Sequence, residues 1–199
     1  MTENDTPRER YFDVFIEQFP LLSEEAKQFT RSILTLKEYG KHDFVFKNGA
    51  IQRTIGYVYQ GLLRKYYINE KGKKINTGFI CEGGYATDYP SFLRQKPTKY
   101  YIECLEPSII VNMSYDDLQE VYNRSKGNEM YGRLIAEQVL IRETDRVESL
   151  LFETAEERYL NFISNNKNIM NRISLTDLAS FLGMERQSLS RIRSNLAKR

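Results

Sequence analysis

From Ser174 to Leu196 apolar residues recur at helical spacing in two short runs, and a single glycine, Gly183, separates them. No other stretch constrains the fold as much. Glycine reaches the left-handed conformation a sharp turn needs, so the two runs must be short helices set at a steep angle. Ser174 followed by Asp177 resembles a capping box with aspartate in the usual glutamate or glutamine place. Leu175, Leu178, Ala179 and Leu182 then give the first helix one apolar side. The second helix starts near Glu185 and carries Leu189, Ile192 and Leu196 on its apolar side. Its other face presents Arg186, Gln187, Ser190, Arg191 and Arg193.

A solvated helical hairpin normally mixes charges of both signs. Here Arg186, Arg191, Arg193, Lys198 and Arg199 are accompanied by no acid. A single-sign tip points to a polyanion. Arginine pairs bidentately with guanine O6 and N7, and glutamine with adenine N6 and N7. Ser188 and Ser190 on the second helix, and Ser174 and Thr176 at the start of the first, suit phosphate contacts. The segment therefore reads as a helix-turn-helix that binds duplex DNA. Charge distribution agrees: residues 165–199 hold seven Lys or Arg against two acids, and that local +5 leaves −3 for residues 1–164 of a chain whose net charge is +2.

Cys81 and Cys104 are too few for a disulfide framework, no apolar run approaches membrane-spanning length, and residues 1–10 are polar without an apolar signal core. A soluble cytoplasmic location, with no membrane partner, is expected.

Upstream, residues 11–39 read as helical, with Phe12, Phe15, Ile16 and Phe19 before Pro20 and a second segment from Ser23 carrying Phe29, Ile33, Leu34 and Leu36. At Gly40 the character changes. Val, Ile, Tyr and Phe dominate to about Met113, punctuated by glycines at 49, 56, 61, 72, 78, 83 and 84, as in short antiparallel strands joined by tight turns. Asn69-Glu-Lys-Gly72 reads as the turn between strands 62–68 and 73–80, within a small barrel or jelly roll whose walls the tyrosines supply. Ser114 should cap a helix over 115–122, and a longer helix spans 128–152. Ala136, Leu140, Val147 and Leu151 form one stripe on it, with Leu134 and Ile141 on another side. One face can cover the barrel and the other can pair with a second copy, although burial of both within one chain is an alternative. Thr154 caps a helix over 155–164, and residues 165–172 form a loop.

This order of elements resembles the Crp/Fnr family of bacterial transcription regulators over nearly the whole chain. The sharpest points are Asp177-Leu-Ala-Ser-Phe-Leu-Gly183 and Arg186-Gln-Ser-Leu-Ser-Arg191, with Thr154-Ala-Glu-Glu-Arg-Tyr159 leading into them. The resemblance implies an α+β fold: a cyclic-nucleotide-binding-like antiparallel β-roll with flanking helices, a long dimerisation helix and a winged helix-turn-helix. It divides the chain into residues 1–127 as sensor domain, 128–152 as dimerisation helix and 153–199 as DNA-binding domain. It further implies a homodimer on a palindromic operator, with half-sites about one turn, roughly 34 Å, apart, and RNA polymerase as a further partner. Arg186, Gln187 and Arg191 match the family's base-reading positions. Gln187 stands where glutamate is common, which shifts the expected preference from cytosine toward adenine.

The effector side departs from the family. Where cyclic-nucleotide-binding members have a Gly-Glu pair and then an arginine before Ser or Thr, this chain has Thr87-Asp88 and Thr98-Lys99. Asp88 can meet a hydroxyl, but the arginine is missing, and a buried phosphate without a cation or amide nest costs several kcal/mol. Lys99 replaces it only if its side chain turns inward. Ile141 and Arg142 occupy the adenine-facing place on the long helix in place of small hydroxyls. Cyclic AMP is therefore not the expected effector, and any small-molecule effector is of unknown identity. An iron–sulfur cluster of the Fnr type needs four cysteines where two exist. Haem would have only His42, Cys81 or Cys104 as axial ligand, none in a supporting motif. His42 reads as a solvated turn residue and the cysteines as small buried ones. No cofactor or metal is expected. A cupin-type enzyme on the roll would need several histidines, and the chain has one, so a non-enzyme is expected. The remaining rival is a β-roll ligand sensor or scaffold without DNA binding.

Overall fold

The computed structural model describes residues 7–124 and 126–198; residues 1–6 of the polar opening and the terminal Arg199 lie outside the described part. Two helices, α1 (Pro7–Ile16) and α2 (Glu24–Ile33), precede eight strands. The strands are β1 (Thr35–Tyr39), β2 (Phe44–Phe46), β3 (Thr54–Gln60), β4 (Leu63–Ile68), β5 (Lys74–Ile80), β6 (Tyr85–Ala86), β7 (Tyr101–Cys104) and β8 (Ser108–Ser114). A short helix, α3 (Tyr89–Arg94), interrupts them between β6 and β7. Then follow α4 (Tyr115–Arg124), α5 (Lys126–Phe152), α6 (Ala155–Asn165), a 3-10 turn at Met170–Arg172, α7 (Leu175–Phe181) and α8 (Arg186–Leu196). No helix among the described residues is long and apolar enough to cross a membrane.

Two four-stranded antiparallel sheets, ordered β1-β8-β3-β6 and β2-β7-β4-β5, make the roll. Side chains alternate across each strand. Val58 and Ile110 join Leu63, Ile80 and Ile102 in the core between the sheets. Their neighbours Tyr57, Val111 and Met113 belong to a second core under α1, α4 and the first turns of α5. The hairpin between β4 and β5 falls where the turn residues placed it: the Asn69 side-chain oxygen accepts from the backbone N–H groups of Lys71 and Lys73 at 3.1 and 2.9 Å.

Two expectations are corrected. Residues 35–39 are strand, not the continuation of a helix. They pair with β8 from Thr35 opposite Asn112 to Tyr39 opposite Ser108, and the ladder satisfies backbone groups that a helix end would leave open. The second concerns α5, on which neither apolar stripe covers the roll. Tyr131 and Ile135 pack there instead, while Leu134, Leu140, Ile141, Val147 and Leu151 are 40, 68, 59, 55 and 71 % exposed and Ala136 is half-buried. Burial of both faces within one chain does not occur.

Past Phe152 the described residues are helical, without wing strands. Thr154 forms a reciprocal capping box with Glu157. A third core joins Tyr159, Phe162, Ile169, Leu178, Ala179, Leu182 and Leu189 to Leu62 of the roll, with Phe79, Cys81 and Leu105 packed against it. The C-terminal helices are thus docked on the underside of the roll.

Candidate nucleic-acid interface

Gly183 has φ +67°, the left-handed turn between α7 and α8. Leu189 is fully buried and Ile192 and Leu196 pack beside it, which fixes the rotation of α8. The opposite face is therefore turned outward. Arg186, Gln187, Ser190, Arg191 and Arg193 are exposed, Ser188 is half-buried, and Ser174 and Thr176 are exposed at the start of α7. Arg186, Arg191 and Arg193 form no ion pair among the described residues, so their charge is available to a polyanion.

What holds this surface was not visible in the sequence. Ser174 Oγ accepts from the Asp177 N–H at 3.0 Å, the capping half of the expected box. The reciprocal half is absent: Asp177 Oδ2 accepts from the Ser174 hydroxyl at 2.6 Å, not from the Ser174 N–H, and Oδ1 faces the roll. There Asp177 pairs with the Arg64 guanidinium and accepts from Asn76 Nδ2 at 3.1 Å. Arg64 also donates to Glu103 Oε2 at 2.9 Å, and Lys74 lies 3.7 Å from the same oxygen. Burial alone would raise both carboxyls, but the Arg64 charge and hydrogen bonds, those of Ser174 and Asn76 on Asp177 included, hold each below its ordinary value. Ser180 Oγ accepts from Asn76 N at 3.0 Å. Lys73 pairs with Glu185, the residue before α8, at 2.9 Å, and Arg172 bridges Glu82 and Glu106.

From the other side, two arginines reach the C-terminal end of α7. Arg146 of α5 donates to the Phe181 carbonyl and lies over its ring at 4.1 Å. Arg158 Nε donates to the Leu182 carbonyl at 2.7 Å. Cations are favourable there because unpaired carbonyls carry partial negative charge.

The effector candidates separate into two groups. Asp88 and Thr98 are buried and joined, with Thr98 Oγ1 donating to Asp88 Oδ2 at 2.6 Å. Asp88 N donates to Gln52 Oε1 at 3.0 Å, and Gln52 Nε2 donates to Thr87 Oγ1 at 3.1 Å. Lys99 does not turn inward; it is exposed, as are Ile141 and Arg142 on α5. Sequence reasoning missed the groups that lie nearest instead. Tyr100 has its phenol raised by burial and then by the charges of Asp88 and Glu143. Lys65 Nζ sits 4.5 Å from the centre of that ring and 3.8 Å from Glu143 Oε1.

His42 lies in a turn, with φ +71°, and its Nδ1 is 3.1 Å from Glu103 Oε1. Cys81 and Cys104 are free thiols, and burial pushes the Cys104 thiol up to about 11. No group of three or more His, Cys, Asp or Glu among the described residues is placed to hold a metal ion.

Residues 36–125 match the family described as "Cyclic nucleotide-binding domain". Electron transport regulator A of Shewanella oneidensis is 24 % identical over 194 residues, covering 90 % of this chain and 76 % of that one. The structure of FixK2 from Bradyrhizobium japonicum superposes with a TM-score of 0.74 at 16 % identity, over 83 % of this chain and 85 % of that chain. A transcriptional regulator of the crp/fnr family from Eubacterium rectale gives a TM-score of 0.70 at 15 % identity, over 95 % and 88 % of the two chains. Residues 36–125 are therefore similar to a cyclic nucleotide-binding domain, and the chain has the fold of these solved regulators.

Proposed function

We propose that this protein is a sequence-specific DNA-binding transcription regulator of the Crp/Fnr type. It acts as a homodimer that sets one α8 in each of two successive major grooves of a palindromic site. The observation that carries the reading is the outward, acid-free face of α8, held by the buried Leu189 behind it. Arg186, Gln187 and Arg191 read base edges, while Ser174, Thr176, Ser188, Ser190 and Arg193 meet phosphates. The apolar stripes of α5 support the dimer: large side chains more than half exposed along one helix suit a second copy of the same helix. Residues 1–127 then serve as sensor, 128–152 as pairing helix and 153–199 as reader. RNA polymerase is the partner through which such a complex acts.

The effector, if the roll takes one, is not cyclic AMP. Asp88 is already satisfied by Thr98, which stands at the position of the phosphate-binding arginine, and the adjacent Lys99 is exposed. Selection of bound duplexes from a random pool tests the reading. A two-fold symmetric consensus with half-sites about one helical turn apart is expected. Affinity should fall steeply with salt, since phosphate contacts release counterions. Recovery of no preferred sequence, or of affinity insensitive to salt, would overturn it.

A further inference from the structure

The sheet β1-β8-β3-β6 has a second face, turned away from the roll interior and covered by α1, α2, α4 and the root of α5. Between sheet and helices lies a cavity of about 60 Å³, inside a cleft of about 670 Å³ that includes its open mouth. Phe15, Tyr57, Val111, Tyr122 and Tyr131 are among its walls, and among the described residues no charged side chain lines it. Thr30, in the middle of α2, also lines it and is 3 % exposed. Its hydroxyl oxygen is buried without a hydrogen-bond partner. Leaving a hydroxyl in that state destabilises the fold, and a core position without a polar task would be filled by valine at no loss of shape.

We propose that this cavity is a binding site for a small aromatic molecule bearing one hydroxyl-type group, with Thr30 as the residue that recognises that group. The cleft, lined by aliphatic and aromatic side chains with Thr30 and Asn128 as its polar members besides the tyrosine hydroxyls, has the make-up of a small-molecule site. The aromatic walls offer tilted and edge-on contacts to a ring. An ionic ligand is excluded, because its charge would be buried against walls that carry none. Burial drives the Tyr122 phenol up to about 12 and raises that of Tyr85, so these hydroxyls stay neutral near pH 7. The site is separate from Asp88 and Thr98, which do not line it.

The cavity also touches the root of α5. Tyr131 packs on Phe19 with ring centres 4.9 Å apart, and its hydroxyl accepts from Leu21 N at 2.9 Å. One residue on, a Cβ at Gly132 would meet the Tyr122 ring at 2.5 Å, so α4 and α5 touch there only because that residue is glycine. An occupant therefore bears on the place where α5 starts. That this controls pairing rests on the reading of α5 as the dimer helix; binding itself does not.

The test uses benzyl alcohol and ethylbenzene, which have the same shape but differ by a hydroxyl in place of a methyl. Ligand-observed NMR on the full chain should show saturable binding of both. Thr30→Val should raise the dissociation constant of benzyl alcohol relative to ethylbenzene roughly three- to tenfold, the worth of one hydrogen bond. Val111→Phe, which fills the cavity, should abolish both. Absence of saturable binding to the wild type, an unchanged ratio in Thr30→Val, or binding that survives Val111→Phe in a folded protein would each overturn the proposal. Neither measurement contains DNA, so its failure would leave the reading of α8 standing, and a failure of duplex binding would leave these affinities unchanged.

Discussion

Replacing Arg64 by methionine should loosen α7 and α8 from the roll. The Arg64 side chain is 12 % exposed, and its partners Glu103 and Asp177 are 5 % and 17 % exposed. Methionine keeps most of the volume but leaves two carboxylates facing each other without their shared cation. Removing one partner of a buried pair costs about 3–5 kcal/mol, against roughly 0–1 for exposed pairs. Asp177 keeps Ser174 and Asn76, and Glu103 keeps His42 and Lys74. We therefore expect the lower end, about 3 kcal/mol, or a fall in melting temperature of roughly 6–12 °C for a chain of this length. Urea denaturation of Arg64→Met, Asp177→Asn and the double variant measures the contact itself, with an expected coupling of about 1–3 kcal/mol. Both carboxyls lie below their ordinary values in the folded state. Their contribution is thus complete above the unfolded carboxylate range and is lost as pH falls through the lowered folded values. The gap between wild type and Arg64→Met should close on acidification below about pH 4. Additive effects in the cycle, or a gap that does not shrink as pH falls below the unfolded carboxylate range, would refute this account of docking.

Leu140→Glu and Val147→Glu should leave the single chain folded, since both positions are exposed in it, yet yield monomers in sedimentation; intact dimers would show that α5 is not the pairing helix. Arg186→Ala or Arg191→Ala should weaken operator binding by about 1–3 kcal/mol and relax preference at particular bases. Arg193→Ala should weaken all duplexes alike and reduce the salt slope by about one, so equal losses on every sequence for all three would make them phosphate anchors only. Gly183→Ala should cost about 1–2 kcal/mol in urea denaturation, because φ is +67° and the new Cβ would meet Leu150 Cδ2 at 2.9 Å; a neutral substitution would mean that the turn forms without a positive φ.

The features legible in the sequence are those set by local chemistry. Gly183, the Thr154 cap, the Asn69–Gly72 turn and the spacing of Leu189, Ile192 and Leu196 each act over a few residues, and the structure has them where the spacing put them. What escaped depends on long-range partners. Residues 35–39 carry apolar side chains compatible with either element, and only β8, 69 to 77 residues further along, decides for strand. Asp177 satisfied the pattern of a capping box, but Arg64 and Asn76 over a hundred residues upstream took its carboxylate. Lys65, Tyr100 and Glu143 share no motif, and nothing in their spacing announces that they meet beside Asp88. The basic face of α8 was readable for the opposite reason: it lacks ion-pair partners among the described residues, so its composition is its signal.

The core shared by Leu62, Phe79, Cys81 and Leu105 with Tyr159, Phe162, Leu178 and Leu189 makes the boundary at Phe152 a poor place to cut. A swap of C-terminal segments between relatives would bring a foreign apolar surface against this roll, and a severed reader would expose its own to water. Substitution on α8 is free to occur on the outward side alone. Any change on the inward side must be matched by compensating changes near residues 62, 79, 81 and 105, so in this chain the two halves are bound to diverge together.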